Sequence, residues 1–351
     1  MKNLKKDLGI IFYIVIIILA TLISSQNAIY TSYGVDQREP IKVSVLLYRF
    51  DDVYISLVHQ SLEEIQTQNA GKVEFTFYDG KNDQSLQNES LDKILEEKAA
   101  DLILLNLVDT KSTKEAVDKI KENNLPVILF NREPVDIEAI RSYNKAYFIG
   151  TNAAEAGTMQ GNILVNDWKK NKEVIDRNKD NIMQYIMLMG ENVNIEAIER
   201  TKYSVLTINN AGIRTQELGL KVSNWNEEEA KNATRALLSQ WGNKIEVIIS
   251  NNDSMAIGAI EALQEQGYNN GDKAKIIPVV GVDAIPAAQK LIKEGIMTGS
   301  VLQDPYAMGK ALYSVGMNLV YNKNPLEGTD YKFDETGVAI RIPYQEYIVS
   351  S

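Results

Sequence analysis

Short runs of β-branched and aliphatic residues alternate with amphipathic stretches along most of this chain, and that rhythm is its strongest constraint on fold. IKVSVLLY, KVEFTFYD, LILLNLV, PVILFN and AYFIGT follow one another from Ile41. Between them lie stretches such as SLVHQSLEEIQTQ and STKEAVDKIKENN, whose apolar residues recur at helical spacing. A second series starts at IMQYIMLMG. It continues through a helix from Ile195, GIRTQELGLKV, a helix over Glu227 to Trp241, and IEVIISNN. A helix near Ala256 to Gln266, IIPVVGVD and MTGSVLQD complete it. Strands alternating with helices at this interval imply βαβ units and parallel sheets. Two such series predict two doubly wound α/β lobes, and 351 residues leave room for both.

Composition removes several classes of function. With no cysteine there is no disulfide, thiolate nucleophile, zinc–sulfur site or lipid-modified cysteine. The single histidine, His59, leaves little room for histidine-based triads and reads as a helix-face residue. A net charge of −10 argues against nucleic acid, whose phosphates need basic surface. No GxxxxGK[ST] or GxGxxG cradle joins a strand to a helix, and neither GxSxG nor HExxH is present. A pair of glycosidase carboxylates is not excluded by spacing alone.

The N-terminus differs from the rest. Lys2, Lys5 and Lys6 precede an apolar run from Leu8 to Ile23, which lies between the length of a signal peptide and that of a membrane span. No clean small-x-small cleavage site follows. Residues 1–25 are therefore expected to be an uncleaved signal anchor, with a cleaved signal peptide as the alternative. The basic flank would stay inside and the remainder lie on the extracytoplasmic face. Residues 26–40, polar and ending at Pro40, read as a linker.

Several strands end in a polar residue: Asp52, Asn131, Asn252, Asp283 and Gln303. In open α/β sheets, ligands bind outside the carboxyl ends of strands, so these positions are expected to converge on a cleft. The competing reading is that they cap helices or form turns. Tyr54 and Trp225 flank the set. Asp, Asn and Gln beside flat aromatic faces suit a polyhydroxylated ligand. Tyr54 and Trp225 have an alternative as core aromatics, and Arg200 as a surface charge. Trp168 and Trp241 read as packing residues.

One loop stands apart. Asp176, Asn178, Asp180 and Gln184 occupy places 1, 3, 5 and 9 of a tight turn, with the carbonyl of Ile182 at place 7. This is the alternation with which EF-hand-type loops surround calcium. Asn181 stands where glycine usually turns the chain, and no glutamate occupies place 12. The other reading is a polar surface loop with chance alternation.

YRFDD-VY-IS, YDGKNDQSLQN, NLVD, LFNREP, SYNKAYFIGT, NKIEVIISNNDSMAIGAIEAL, VVGVDAIP and GSVLQD follow one another in order along the chain. From about Val43 to Tyr344 they resemble the periplasmic galactose/glucose-binding proteins of bacterial sugar uptake. The resemblance implies a type I periplasmic-binding-protein fold of two Rossmann-like lobes joined by a three-stranded hinge. The lobes would comprise 41–150 plus 303–337 and 151–302 plus 338–351. It implies that Asp52, Asn131, Arg200, Asn252 and Asp283 bind sugar hydroxyls. Trp225 would stack on the ring, and Tyr54 stands where the family usually has phenylalanine. Asn194 and Glu196 replace the family's His and Asp, and Gln303 replaces its Asn, so the preferred sugar is left open. The family's structural calcium falls on the Asp176–Gln184 loop, closed by Glu246. The implied function is non-catalytic capture of a monosaccharide for an ABC importer. The alternative is a co-receptor for a membrane sensor kinase. Sugar-responsive repressors share the fold but need a basic helix-turn-helix where this chain has a hydrophobic segment.

Overall fold

The computed structural model describes residues 39–349. Strands β1 (Ile41–Leu47), β2 (Val73–Asp79), β3 (Leu102–Leu105), β4 (Val127–Phe130) and β5 (Ala146–Gly150) alternate with four helices. These are α1 (Val53–Gln68), α2 (Gln84–Glu96), α3 (Thr113–Glu122) and α4 (Ile137–Arg141). LILL of β3 and VILF of β4 are buried throughout, as expected where helices cover both faces of a parallel sheet. Edge strand β2 instead alternates buried and exposed residues at its start.

The second lobe begins with α5 (Ala153–Ile175) and β6 (Ile182–Met189), α6 (Ile195–Asn210), β7 (Arg214–Val222) and α7 (Glu227–Trp241). It continues through β8 (Val247–Ser250), α8 (Asp253–Glu265), β9 (Val279–Val280), α9 (Pro286–Lys293) and β10 (Ser300–Leu302). The chain then returns to the first lobe as α10 (Pro305–Val320), which packs on α1, and as β11 (Ala339–Arg341). It ends in the second lobe with β12 (Gln345–Tyr347), antiparallel to β10.

The first sheet runs β11-β5-β4-β3-β1-β2, and the second runs β7-β6-β8-β9. Single bridges from Val280 to Gly299 and from Asp283 to Leu302 carry the second sheet on towards β10. One boundary needs correction. Ala339 pairs with Phe148 and Arg341 with Gly150, so the first lobe extends to Arg341 and not to residue 337. Three residues are too few to show a period, and only the pairing reveals where this strand belongs.

Three crossovers thus connect the lobes: β5 to α5, β10 to α10, and β11 to β12. Where α5 crosses α6, Gly157 is indispensable, because a Cβ there would stand 2.8 Å from the carbonyl oxygen of Arg200. That close approach fixes the turn of α6 carrying Arg200. Among the described residues no helix is long and apolar enough to cross a membrane. The expected anchor over 1–25 and nearly all of the 26–40 linker lie outside them.

Candidate functional site

The carboxyl ends of both sheets face each other, and the residues singled out in the sequence meet there. Asp52, Tyr54 and Asn131 come from the first lobe and Gln303 from a crossover. Asn194, Glu196, Arg200, Trp225, Asn252 and Asp283 come from the second. All ten line one cavity of about 390 Å³ including its mouth.

Capping and cavity lining prove compatible. Asp52 caps α1 by accepting from the Ile55 amide at 2.9 Å, while its other oxygen accepts from the Tyr48 hydroxyl at 2.5 Å. Asn194 caps α6 through the Ala197 amide at 2.9 Å, and Asn252 caps α8 through the Met255 amide at 3.0 Å. Each cap aims a helix N-terminus, with its partial positive charge, at the cleft. Asn131 adopts a left-handed backbone, φ 63°, and accepts from Asn106 Nδ2 at 3.3 Å.

Arg200 is the hub of the second wall. Nη1 donates to the Asn251 carbonyl at 2.9 Å, and Nη2 donates to Gln303 Oε1 at 2.9 Å and the Tyr344 hydroxyl at 2.8 Å. Its guanidinium lies 5.9 Å from the Trp225 ring centre. Trp225 can lie there because residue 190 is glycine: a Cβ would come within 2.3 Å of the indole. Asp283 sits on a strained turn, φ 109°, held by Asp253. Asp253 accepts from Ser300 Oγ at 2.6 Å and from the Ile285 amide at 2.9 Å. Burial pushes the Asp253 carboxyl up to about 7 and Asp283 well above the usual carboxylate range, the latter opposed by Arg200. Burial likewise raises Glu196.

Two contacts cross the mouth. Arg132 Nη2 donates to Glu191 Oε2 at 2.7 Å, and Glu196 Oε1 accepts from the Glu133 amide at 2.8 Å. The lobes are therefore closed on each other. Inside, Tyr54 OH, Arg132 Nε, Glu196 Oε2, Arg200 Nε, Trp225 Nε1 and Gln303 Nε2 are buried without a protein partner. They are six of the eleven such atoms among the described residues. Buried polar groups are nearly always paired, so this concentration makes the cavity the candidate place for a ligand to supply the partners.

Tyr48 and Arg132 also line the cavity, and the sequence reading passed over both. Each stands within a matched segment, YRFDD and LFNREP, beside the residues chosen. Trp168 and Trp241 are not among the lining residues, and Trp168 belongs to the second lobe's core. His59 stacks on Phe77 with ring centres 3.7 Å apart.

The Asp176–Gln184 loop joins α5 to β6. Asp176 accepts from the Asp180 and Asn181 amides, and Asp180 accepts from the Ile182 amide and from Gln184 Nε2. Asn178 accepts from the Asp180 amide. Asn181 takes the left-handed conformation, φ 62°, that its place in the turn demands. Glu246 reaches the loop from just before β8, accepting from the Arg177 amide at 2.7 Å and the Gln184 amide at 3.1 Å. Burial raises its carboxyl, and Asp176 and Asp180 raise it further. Gln184 Oε1 is buried without a partner. Among the described residues no three acidic or histidine side chains form a ready metal cluster. The donors here are carboxylates, amides and a carbonyl, the hard oxygens calcium takes.

A model of the periplasmic binding protein domain matches residues 43–324. The chain belongs to the periplasmic binding protein family. It is 37% identical over 314 residues to the D-galactose/methyl-galactoside binding periplasmic protein of Haemophilus influenzae, covering 89% of this chain and 90% of that one. A putative rhizopine-binding protein of Rhizobium meliloti is 27% identical, with 77% and 81% covered. Among solved structures, an ABC transporter solute binding protein from Bacillus halodurans with bound myo-inositol superposes with a TM-score of 0.70 at 23% identity. That match covers 88% of this chain and 95% of the other. As a member of the periplasmic binding protein family, the chain is a binding protein and not an enzyme.

Proposed function

We propose that this chain is an extracytoplasmic sugar-binding protein that closes on one monosaccharide and presents it to an ABC-type importer. The observation carrying this reading is the set of six unpartnered polar atoms on residues that line one cavity, Tyr54 and Trp225 among them. Four of them, on Arg132, Arg200, Trp225 and Gln303, are N–H donors, and Glu196 Oε2 is an acceptor. A sugar hydroxyl can both donate and accept, and its C–H faces suit aromatic rings. Asp52, Tyr54 and Asn131 would hold one side of the sugar. Asn194, Glu196, Arg200, Trp225, Asn252 and Asp283 would hold the other, and Gln303 the hinge side. Because both lobes touch the ligand only when closed, binding shifts the population to that form. Resemblance to a galactoside-binding relative supports a hexose, while Asn194, Glu196 and Gln303 support a specificity of this chain's own.

Calcium would serve structure only, held by Asp176, Asn178, Asp180, the Ile182 carbonyl, Gln184 and Glu246. It would neutralise a cluster of carboxylates and complete Gln184 Oε1. Residues 1–25 would anchor the protein to the membrane, since the chain has no cysteine for a lipid. That same combination keeps a second reading, a sugar-sensing co-receptor for a membrane kinase.

The test is a thermal-shift and calorimetric screen against D-galactose, D-glucose, pentoses and myo-inositol. At least one should raise the melting temperature and bind with one-to-one stoichiometry; a flat panel rejects the sugar reading. Gene deletion separates the partners: lost uptake supports the importer, whereas intact uptake with lost sugar-induced transcription supports the sensor.

A further inference from the structure

Each of the three crossovers places one polar side chain in a shared buried network. Thr151 lies between β5 and α5, Gln303 between β10 and α10, and Tyr344 between β11 and β12. All three are buried. Tyr344 OH stands 2.7 Å from Thr151 Oγ1 and 3.1 Å from Gln303 Oε1. Arg200 Nη2 donates to both the phenol and Gln303 Oε1.

The directions of these bonds follow from chemistry. A guanidinium can only donate, so the Gln303 atom facing it is the amide oxygen, and Nε2 is left for the cavity. Burial raises the Tyr344 phenol, which therefore keeps its proton. That proton goes to Gln303 Oε1, while the phenol oxygen accepts from Arg200 and from the Thr151 hydroxyl. The guanidinium also lies 5.9 Å from the ring centres of both Tyr344 and Trp225.

We propose that Tyr344 is the positioning residue through which the hinge sets ligand affinity. Its hydroxyl holds Arg200 and Gln303 in their cavity-facing geometry and ties that pair to the crossover at Thr151. Because one network joins all three crossovers to Arg200, turning of the lobes about them would couple hinge closure to seating of the guanidinium. The ligand in this inference rests on the sugar-binding reading above; the hinge geometry does not.

Tyr344→Phe keeps the ring and removes only the hydroxyl. Tyr143→Phe is the control, because it removes a partly buried phenol bond to the Leu125 carbonyl, 2.9 Å, within the first lobe. Tyr344→Phe should weaken binding of the best sugar from the panel by about tenfold or more, the scale of a buried polar group left unpaired. Tyr143→Phe should lower the melting temperature as much while leaving affinity unchanged. A second readout needs no ligand. The Trp225 emission, isolated by subtracting the spectrum of Trp225→Phe, should shift in Tyr344→Phe as Arg200 leaves its place by the indole. It should not shift in Tyr143→Phe. Unchanged Trp225 emission in Tyr344→Phe overturns the proposal whether or not a sugar is known. Unchanged sugar affinity in Tyr344→Phe, where the native protein binds, overturns it too. If the native protein binds no sugar, the functional reading fails and the emission alone decides this inference.

Discussion

The interlobe cavity and the Asp176–Gln184 loop are both dense in buried polar atoms, and they satisfy those atoms differently. The loop is closed by its own side chains and Glu246: backbone amides of Asp180, Asn181 and Ile182 donate to Asp176 or Asp180, and those of Arg177 and Gln184 to Glu246. Gln184 Oε1 is left over. In the cavity the protein's own bonds are used for caps, for the Arg200 hub and for contact across the mouth, and six buried atoms remain unpaired. A short loop can bend its backbone around its side chains. Two facing lobes cannot, because their strand ends are fixed by the sheets behind them. On the proposed function the loop would hold a compact cation, whereas the cavity would hold something that brings its own donors and acceptors.

The largest expected effect breaks the cavity side of this contrast. Arg200→Ala removes the donor to the Asn251 carbonyl and one of the donors to each of Gln303 and Tyr344. Removing one partner of a buried charged set costs about 3–5 kcal/mol, so affinity should fall by two or more orders of magnitude in calorimetry. A loss below tenfold would mean that the ligand lies elsewhere.

The next test concerns what holding Asp283 costs. Asp253, which pins the Asp283 turn, has its carboxyl raised to about 7 by burial, against about 3.9 in an unfolded chain. A raised carboxyl stabilises the fold when protonated. Its contribution is fully present below about pH 4 and is lost as pH rises through 7. The loss is at most about 4 kcal/mol. Asp253→Asn should therefore flatten the fall in unfolding free energy between pH 5 and 8. Parallel native and variant profiles would show that this carboxyl does not carry the pH dependence.

On the loop side, calcium at a hundredfold excess over its Kd should add about 2.7 kcal/mol, a rise of several degrees in melting temperature over chelator. Glu246→Gln should shrink that rise. Identical melting in chelator and excess calcium would show a loop complete in itself. The smallest effect sharpens the cavity again. Trp225→Phe keeps an aromatic face but loses the indole N–H and part of the stack, and should weaken sugar binding by about 0.5–1.5 kcal/mol. The ligand-induced fluorescence change should vanish with it.

The sequence by itself determined the doubly wound lobes, because alternating strand and helix patterns dictate parallel sheets locally. It also marked the strand-end residues, since the carboxyl end of a strand lies where the apolar run stops. Asn181 was legible as a left-handed turn residue for the same local reason. What it left undecided depends on distant pieces meeting. β11 carries too few residues to declare its lobe. Tyr48 and Arg132 face the cavity only because neighbouring strands aim them there. Tyr344, Thr151 and Gln303 form one network although they lie on three separate crossovers, and nothing in their own neighbourhoods announces it. Hydrogen bonds of this kind are set by distance in space, and only the tertiary structure brings those side chains within reach.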